Sequence, residues 1–258
     1  MTPLIRKGLI AEASERPADA PQTSDIARQG ARRRLTLFAA LGIAAYVVAL
    51  VAGMPAGVIV GNEPWRTGIA GTVWNGEAGI AGGGRLAWQW APLRSLTSLG
   101  FAVDWRMAGS GTGMAGRALV RPSSTLVDAM SGSTDAGVLR AIQPDLPFTC
   151  DMTMQADFPR VKLGGDGQMA EGRLLTDPGS CRPASGGAPT AVPALILTAE
   201  HIGTTSRLRL APATQRRRTL MTITLSETGD VAIAMTPEGA AMLPFVGLPP
   251  GGSINGRI

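Results

Sequence analysis

Side chains that carry enzyme and metal chemistry are scarce in this sequence. Its 258 residues include a single histidine, His201, and two cysteines. A zinc site built on histidines needs more imidazoles than one, and a Ser-His-Asp triad would have to use His201. An isoleucine and a glycine follow this residue in a strand-like run, so we interpret it as a strand residue beside a turn. We expect a protein that is not an enzyme, with no catalytic or metal-binding residues.

Glycine is abundant, with 34 residues, but the motifs that bind nucleotides are missing. No helical pattern follows the three glycines at 82–84, and no Gly-Lys-Ser or Gly-Lys-Thr occurs, which excludes a P-loop and a dinucleotide fingerprint. Carboxylates that alternate with apolar residues, such as Asp151 and Asp157, are expected on a solvated face rather than in acid–base catalysis. We therefore assign the glycines to turns and bulges and expect no cofactor.

One long segment lacks charge altogether. Residues 35–61 read LTLFAALGIAAYVVALVAGMPAGVIVG, without Asp, Glu, Lys, Arg or His. About 20 mostly apolar residues suffice to cross a bilayer as a helix. Arg32, Arg33 and Arg34 precede the segment, and positive charge holds the adjacent end of a span in the cytoplasm. We predict a single-pass inner-membrane protein in which residues 35–61 contact lipid, the N-terminus is cytoplasmic and residues 62–258 are periplasmic.

Two other kinds of segment share this composition. A buried core helix is also apolar on all sides, but the rest of the chain looks too small and too β-like to enclose one. A cleavable signal peptide has an apolar region of about 7–15 residues, whereas this one is longer and follows 34 residues. We therefore favour an uncleaved signal anchor. Residues 1–34, rich in Ala, Arg, Pro and Ser, are predicted to be a mostly disordered cytoplasmic tail.

The net charge of +5 does not indicate a nucleic-acid partner. Residues 1–34 hold seven basic and four acidic residues, while the remainder holds 17 basic and 15 acidic residues. Much of the positive excess thus flanks the anchor, and the outer domain is nearly balanced. We expect no nucleic acid to bind.

After the anchor, the pattern is that of short β-strands. Leu86, Trp88 and Trp90 alternate with smaller or polar residues, which is the period of a half-buried strand. Similar runs recur between Gly- and Pro-rich turns, which is typical of an all-β domain. We predict an antiparallel domain of many short strands, either an open curved sheet or a sandwich. The predicted strands are 69–74, 77–81, 85–91, 99–107, 113–121, 148–158, 167–176, 194–202, 205–210, 217–225 and 230–236.

The segments between these strands are predicted to be turns, loops and short helices. Residues 123–130 are expected to form one or two helical turns, and residues 238–242 a short helix. Residues 177–189 are expected to be a loop because Gly, Pro, Ser and Asp dominate them. Residues 133–147 are expected to be a loop with a short apolar stretch at 138–142.

The two cysteines, Cys150 and Cys181, form the clearest chemical feature. The first lies in a strand-like run and the second in the loop 177–189. Outside the cytoplasm a disulfide between them is expected, and closing a loop of roughly 30 residues would stabilise the fold by about 3–4 kcal/mol. Two unpaired buried thiols are the alternative, which a periplasmic location disfavours.

Three stretches resemble the type II secretion pathway protein N family. They read GTVWNGEAGI at 71–80, GRLAWQWAPL at 84–93 and FAVDWRMAGSGTGMAG at 101–116, and they follow an anchor that ends in Pro55-Ala56. The resemblance covers about residues 35–120. Its most specific element is GTVW followed closely by a glycine, formed by Gly71, Thr72, Val73, Trp74 and Gly76.

This resemblance implies a non-enzymatic accessory subunit of the type II secretion system in the inner membrane of a Gram-negative bacterium. Its β domain would contact other secretion subunits and aid export of folded proteins across the outer membrane. Free strand edges of the domain are expected to accept partner strands. The residues themselves leave a second function open, an anchored sheet whose apolar face binds or transfers lipid. The single histidine disfavours a third, a cell-wall enzyme.

Overall fold

The computed structural model describes residues 23–58, 61, 65–81, 83–143, 145–165 and 167–257. Contacts divide the chain into two units, Met1–Val51 and Ala52–Ile258. The described part of the first unit is helical, and the second is built mainly of β-strands.

The described residues of the first unit form one long helix, α1 (Thr23–Ala52), whose last residue begins the second unit. Its bounds correct two predictions. The helix begins inside the segment 1–34, which we expected to be mostly disordered, because alanine and arginine are good helix formers that extend the apolar helix backwards. It ends at Ala52 rather than near residue 61, since Pro55 cannot continue a helix. The part of the predicted tail at residues 1–22 lies outside the described residues.

Within α1, the 20 residues Arg33–Ala52 are long and apolar enough to cross a membrane. None of this stretch is buried in the structure, so the alternative of a core helix is wrong. Its large apolar side chains are exposed, and those of Leu35, Phe38 and Leu41 are each more than two-thirds exposed. A membrane-spanning helix presents a surface of this kind to lipid.

The second unit is dominated by one antiparallel sheet of thirteen strands, which does not close. The predicted all-β class is therefore confirmed, as an open sheet with β1 and β16 at its edges. Its strands, in spatial order, are β1 (Arg66–Gly71), β2 (Asn75–Ile80), β3 (Gly84–Trp90), β4 (Phe101–Gly109), β5 (Thr112–Val120), β6 (Thr125–Asp135), β8 (Thr153–Leu163), β9 (Met169–Thr176), β12 (Leu195–Ile202), β13 (Thr205–Pro212), β14 (Met221–Ser226), β15 (Asp230–Met235) and β16 (Ser253–Arg257).

A second, three-stranded sheet and four short helical segments complete the described part of the unit, besides a 3-10 turn at Ala56–Val58 that follows α1. The small sheet has the order β11 (Thr190–Val192), β10 (Gly179–Pro183), β7 (Phe148–Asp151). The predicted short helix at 238–242 is confirmed as part of α4. Pro237 is its first residue, and the Oγ1 of Thr236 caps it by accepting the Gly239 N–H at 3.0 Å. The helical segments are α2 (Pro92–Ser98), α3 (Gly137–Ile142), α4 (Pro237–Met242) and a 3-10 turn, Pro244–Val246.

A cluster of buried apolar residues lies where the small sheet and the α4 region meet the large sheet. Leu220 is fully buried there, and the rings of Phe148 and Phe245 pack edge to face with centroids 5.2 Å apart. We call this the covered region, and its buried members are Cys181, Val192, Leu195, Leu220, Leu243 and Phe245.

The predicted disulfide is confirmed. Cys150 on β7 and Cys181 on β10 are direct register partners, and their sulfurs are bonded. The bond therefore joins strands β7 and β10 of the small sheet within the covered region.

Four local predictions are wrong, and long-range pairing explains each. Residues 123–130 contribute to strand β6, not to a helix, because β5 and β8 pair with it on both sides. The run 148–158 breaks at Met152 into β7 and β8, which belong to different sheets. The expected loop 177–189 contains β10, and the expected loop 133–147 contains the end of β6 and helix α3. Pairing partners far along the chain outweigh local preference in all four.

Candidate functional site

The family-like element Gly71–Gly76 forms the turn between β1 and β2. The backbone N–H of Thr72 donates to the backbone carbonyl of Asn75 at 2.8 Å, and the backbone N–H of Asn75 donates to the Thr72 Oγ1 at 3.2 Å. Gly71 has a φ of 86°, in the left-handed region that favours glycine. A side chain there would also meet the Asn75 oxygen at 2.5 Å. The turn thus explains why the element carries glycine at its first position.

The second glycine of the element provides space for an aromatic ring. A Cβ at Gly76 would collide with the ring of Trp88, its register partner on β3. Trp88 in turn pairs with Trp105 on β4, and Trp105 lies against Gly116 on β5 in the same way. A glycine therefore stands beyond each tryptophan of this pair, which allows the rings to lie flat along the sheet.

The tryptophan of the element joins the turn to the next strands. Trp74 packs against Trp90 with centroids 4.8 Å apart and against Phe101 at 5.8 Å. The Trp88 Nε1–H donates to the Val73 carbonyl at 3.0 Å, and the Trp90 N–H donates to the Trp74 carbonyl at 2.7 Å. We call this the aromatic region, formed by Trp74, Trp88, Trp90, Phe101 and Trp105.

The chain that leaves α1 attaches to this same turn. Pro55 forms a β-bridge with Thr72, and the Val73 N–H donates to the Met54 carbonyl at 3.0 Å. A 3-10 turn, Ala56–Val58, then lies along β1, with Ala56 buried. The element is thus the joint between the post-helix segment and the sheet, a role that the sequence pattern alone did not indicate.

The two edges of the large sheet differ as a result. The post-helix segment lies against the β1 edge, whereas in the described part of the chain β16 pairs with β15 alone. All five residues of β16 are exposed, including Ile254. An exposed edge strand offers unpaired N–H and C=O groups to another strand.

Helix α2 was missed in the sequence, although Pro92 at its first turn and leucines at every third position are recognisable signals. Leu93, Leu96 and Leu99 project into solvent. The side chains of Arg94 and Ser95 instead face the sheet. The Arg94 guanidinium donates to the carbonyls of Val103 at 2.7 Å and Ala118 at 3.1 Å.

One face of the large sheet is apolar across almost its whole width. A single row of register partners crosses twelve strands without a polar side chain, and every member is buried or half-buried. Its members are Ile69, Ala78, Leu86, Met107, Met114, Gly132, Ala156, Leu174, Leu197, Leu210, Met221 and Met235.

The opposite face is the more polar one and carries a row of alternating charge. A row of register partners from β3 to β9 reads Gln89, Asp104, Arg117, Asp128, Arg160, Glu171. Opposite charges on neighbouring strands stabilise a sheet modestly. On the same face, Asp157 and Arg173 form an exposed ion pair at 2.9 Å beside a groove that Arg216 also lines.

His201 lies on β12 just before its turn to β13, as predicted. Its Nδ1 is 3.0 Å from the Oγ of Ser206, a buried hydroxyl that also accepts the Ala170 N–H at 3.0 Å. These contacts join three strands. Among the described residues, no group of three His, Cys, Asp or Glu side chains is close enough to hold a metal ion.

Comparison of this chain with known protein families, with curated proteins and with solved structures finds no match.

Proposed function

We propose that this protein is a membrane-anchored, non-enzymatic accessory subunit of the type II secretion system. Helix α1 anchors it in the inner membrane with the N-terminus in the cytoplasm, and the β unit lies in the periplasm. There the unit contacts other secretion subunits and aids export of folded proteins across the outer membrane.

The observation that carries this proposal is the position of the family-like element. Its turn receives the segment that follows α1 through the Pro55–Thr72 bridge and the Val73–Met54 hydrogen bond. It also organises the aromatic region through Trp74. An element that couples an anchor to a sheet belongs in a tethered scaffold, and tethered scaffolds act by presenting surfaces to partners.

The β16 edge is the surface we assign to a partner strand. It is exposed along its whole length, and backbone pairing there needs no particular side chain from this chain. An extended segment of another secretion subunit would add as a fourteenth strand.

A secretion assay tests the function. Deleting the gene should leave exported enzymes in the periplasm while a periplasmic marker stays inside, which shows an intact outer membrane. Normal secretion after deletion would contradict the proposal, provided that the complemented strain and the deletion strain grow alike.

Photo-crosslinking tests the assigned surface. Benzoylphenylalanine at Asn255 on β16 should give an adduct with a secretion subunit in living cells. The same probe at Arg209 is the matched control, because this residue is also exposed but lies on the interior strand β13. Equal capture at both positions, or capture at neither, would remove the edge from the proposal.

The apolar row favours a second candidate function, lipid binding or transfer in the envelope. A row of Leu, Ile and Met side chains, interrupted only by Ala78, Gly132 and Ala156, would suit acyl chains. Neighbouring residues Ile223 and Thr224 on β14 point to opposite faces of the sheet, and Ile223 shares the apolar face. A photo-crosslinker at 223 should then capture lipid in cells and one at 224 should not. Absence of a lipid adduct at 223 would reject this function.

A further inference from the structure

Helix α2 and the residue that caps its C-terminus present three leucines to solvent, Leu93, Leu96 and Leu99, which we call the leucine face. Their exposed fractions are 80%, 74% and 87%. Among the described large hydrophobic residues, only members of α1 also exceed 70%, namely Leu35, Phe38 and Leu41. The leucine face thus resembles the surface of the candidate span rather than that of a water-soluble sheet.

The polarity of α2 is inverted with respect to an ordinary surface helix, which buries its apolar side. The Arg94 guanidinium donates to Val103 and Ala118 carbonyls and pairs with Asp104 at 3.2 Å. The Ser95 Oγ accepts from the Trp90 Nε1–H and from the Ala102 N–H, both at 2.9 Å. These bonds fix α2 on the sheet with its leucines directed outward.

The backbone at Leu99 adds an independent observation. Its φ of 48° lies in the left-handed region, where helices commonly end in glycine. A leucine there is strained, and its side chain makes no compensating core contact because it is 87% exposed. Such a residue is explained if an apolar environment outside the protein receives it.

The end of the candidate span lies only a few residues from the turn that packs beside α2. Helix α1 ends at Ala52, and two residues later the Met54 carbonyl accepts the Val73 N–H. A trans peptide advances at most about 3.3–3.6 Å per residue in extended chain, so this turn lies close to where α1 ends. Trp74 in the turn packs on Trp90 and Phe101, the two residues that flank the α2 segment.

The neighbouring end of the sheet extends the apolar surface. At the end of the sheet where β4 begins, Val120 is the register partner of Phe101. Thr125 on β6 is the register partner of Val120 on one side and of Leu163 on the other. Val120 is 43% and Leu163 46% exposed. Beside α2, the Arg121 guanidinium donates to the Ser98 carbonyl at 2.9 Å, which leaves a cation at the rim where anionic headgroups would lie.

We infer that the leucine face inserts into the boundary between headgroups and acyl chains of the membrane that α1 spans. This inference rests on the proposed anchor. It gives the β unit a second membrane contact beside the first, so that the unit is held at the membrane surface instead of swinging on a single tether.

The test uses the full chain in vesicles of phosphatidylethanolamine and phosphatidylglycerol. Both native cysteines are in the disulfide, so a cysteine introduced by Leu96→Cys is the only thiol and can carry an environment-sensitive fluorophore. We expect a blue-shifted emission and quenching by brominated lipids. Shallow bromines should quench more than deep ones, because interfacial helices lie about 5–10 Å into this boundary.

Two matched positions make the outcomes distinct. Ser110→Cys labels an exposed turn at the other end of β4, about 30 Å away for nine strand residues, and should be unquenched. Leu41→Cys labels α1 and reports the anchor alone. Quenching at 41 with none at 96 overturns the leucine-face inference and leaves the anchor standing. No quenching at 41 overturns both.

A partner protein is the competing occupant. Benzoylphenylalanine at Leu96 in living cells should give no defined protein adduct if the leucines lie in lipid. A discrete protein adduct, together with an unquenched fluorophore in vesicles, would overturn the inference and assign the leucine face to that partner.

Discussion

The covered region and the aromatic region stabilise the same sheet in different ways. In the covered region, a second layer and a disulfide exclude water, and the side chains of Leu220 and Cys181 are fully buried. In the aromatic region, half-buried tryptophans lie along their own strands and close the turn at Gly71–Gly76. A single-layer sheet can therefore be stabilised by a lid at one place and by cross-strand aromatic pairs at another.

The two regions also differ in what they contribute: the covered region stabilises the β unit, and the aromatic region attaches the unit to the segment that follows α1. The covered region lies far along the chain from the segment that follows α1, whereas the aromatic region receives that segment directly. Variants in the first should therefore lower the stability of the whole β unit. Variants in the second should chiefly loosen the joint with the anchor.

The largest effects should follow loss of the disulfide or of a core leucine. The double variant Cys150→Ala/Cys181→Ala should lower the free energy of unfolding by about 3–4 kcal/mol, because the bond closes a long loop. Urea unfolding of the detergent-solubilised chain, followed by near-ultraviolet circular dichroism, measures this. Native protein in reductant should shift equally, and an unchanged midpoint in both would contradict the prediction.

Leu220→Ala should destabilise the covered region by about 2–5 kcal/mol, the usual range for a leucine truncated in a core. The same urea titration reports it. Leu139→Ala is the control, since this leucine is 38% exposed on α3 and its truncation should change little. Similar losses for the two variants would mean that the covered region is not the main core.

In the aromatic region, Gly71→Ala should cost about 1–2 kcal/mol for the left-handed backbone alone, with additional crowding against the Asn75 oxygen. Gly68→Ala, on the same strand and with open space around it, should be tolerated. Tryptophan fluorescence during unfolding follows this region. Equal behaviour of the two variants would show that the turn geometry at Gly71 is not required.

The smallest effect should come from the polar face. Asp157→Asn removes an exposed ion pair with Arg173 and should cost less than about 1 kcal/mol. High salt should abolish the difference between variant and native protein, because exposed charges are screened. A loss that persists in 1 M salt would mean that this pair contributes more than its exposure suggests.

Local sequence patterns predict several parts of this architecture. The uncharged run predicts an exposed apolar helix, and the period-two alternation in strands such as β3 and β13 predicts an antiparallel β domain. Thr236 and Pro237 specify helix α4 through its cap. The single pair of cysteines predicts the disulfide, because with two cysteines there is only one way to pair them.

Other features depend on residues far apart in the sequence. Strand β6 forms against its local preference because β5 and β8 supply backbone partners on both sides, and β10 forms because β7 lies beside it. The role of Gly71–Gly76 as a joint depends on Met54 and Pro55, and the outward direction of the α2 leucines depends on carbonyls of β4 and β5 that bind Arg94. The sequence by itself determined the long helix α1 and the β class, because helix and strand propensities act within a few residues. It also determined the disulfide, because two cysteines can pair in only one way. The tertiary structure decided strand order, the joint and the leucine face, since pairing and side-chain contacts are satisfied only when distant strands meet.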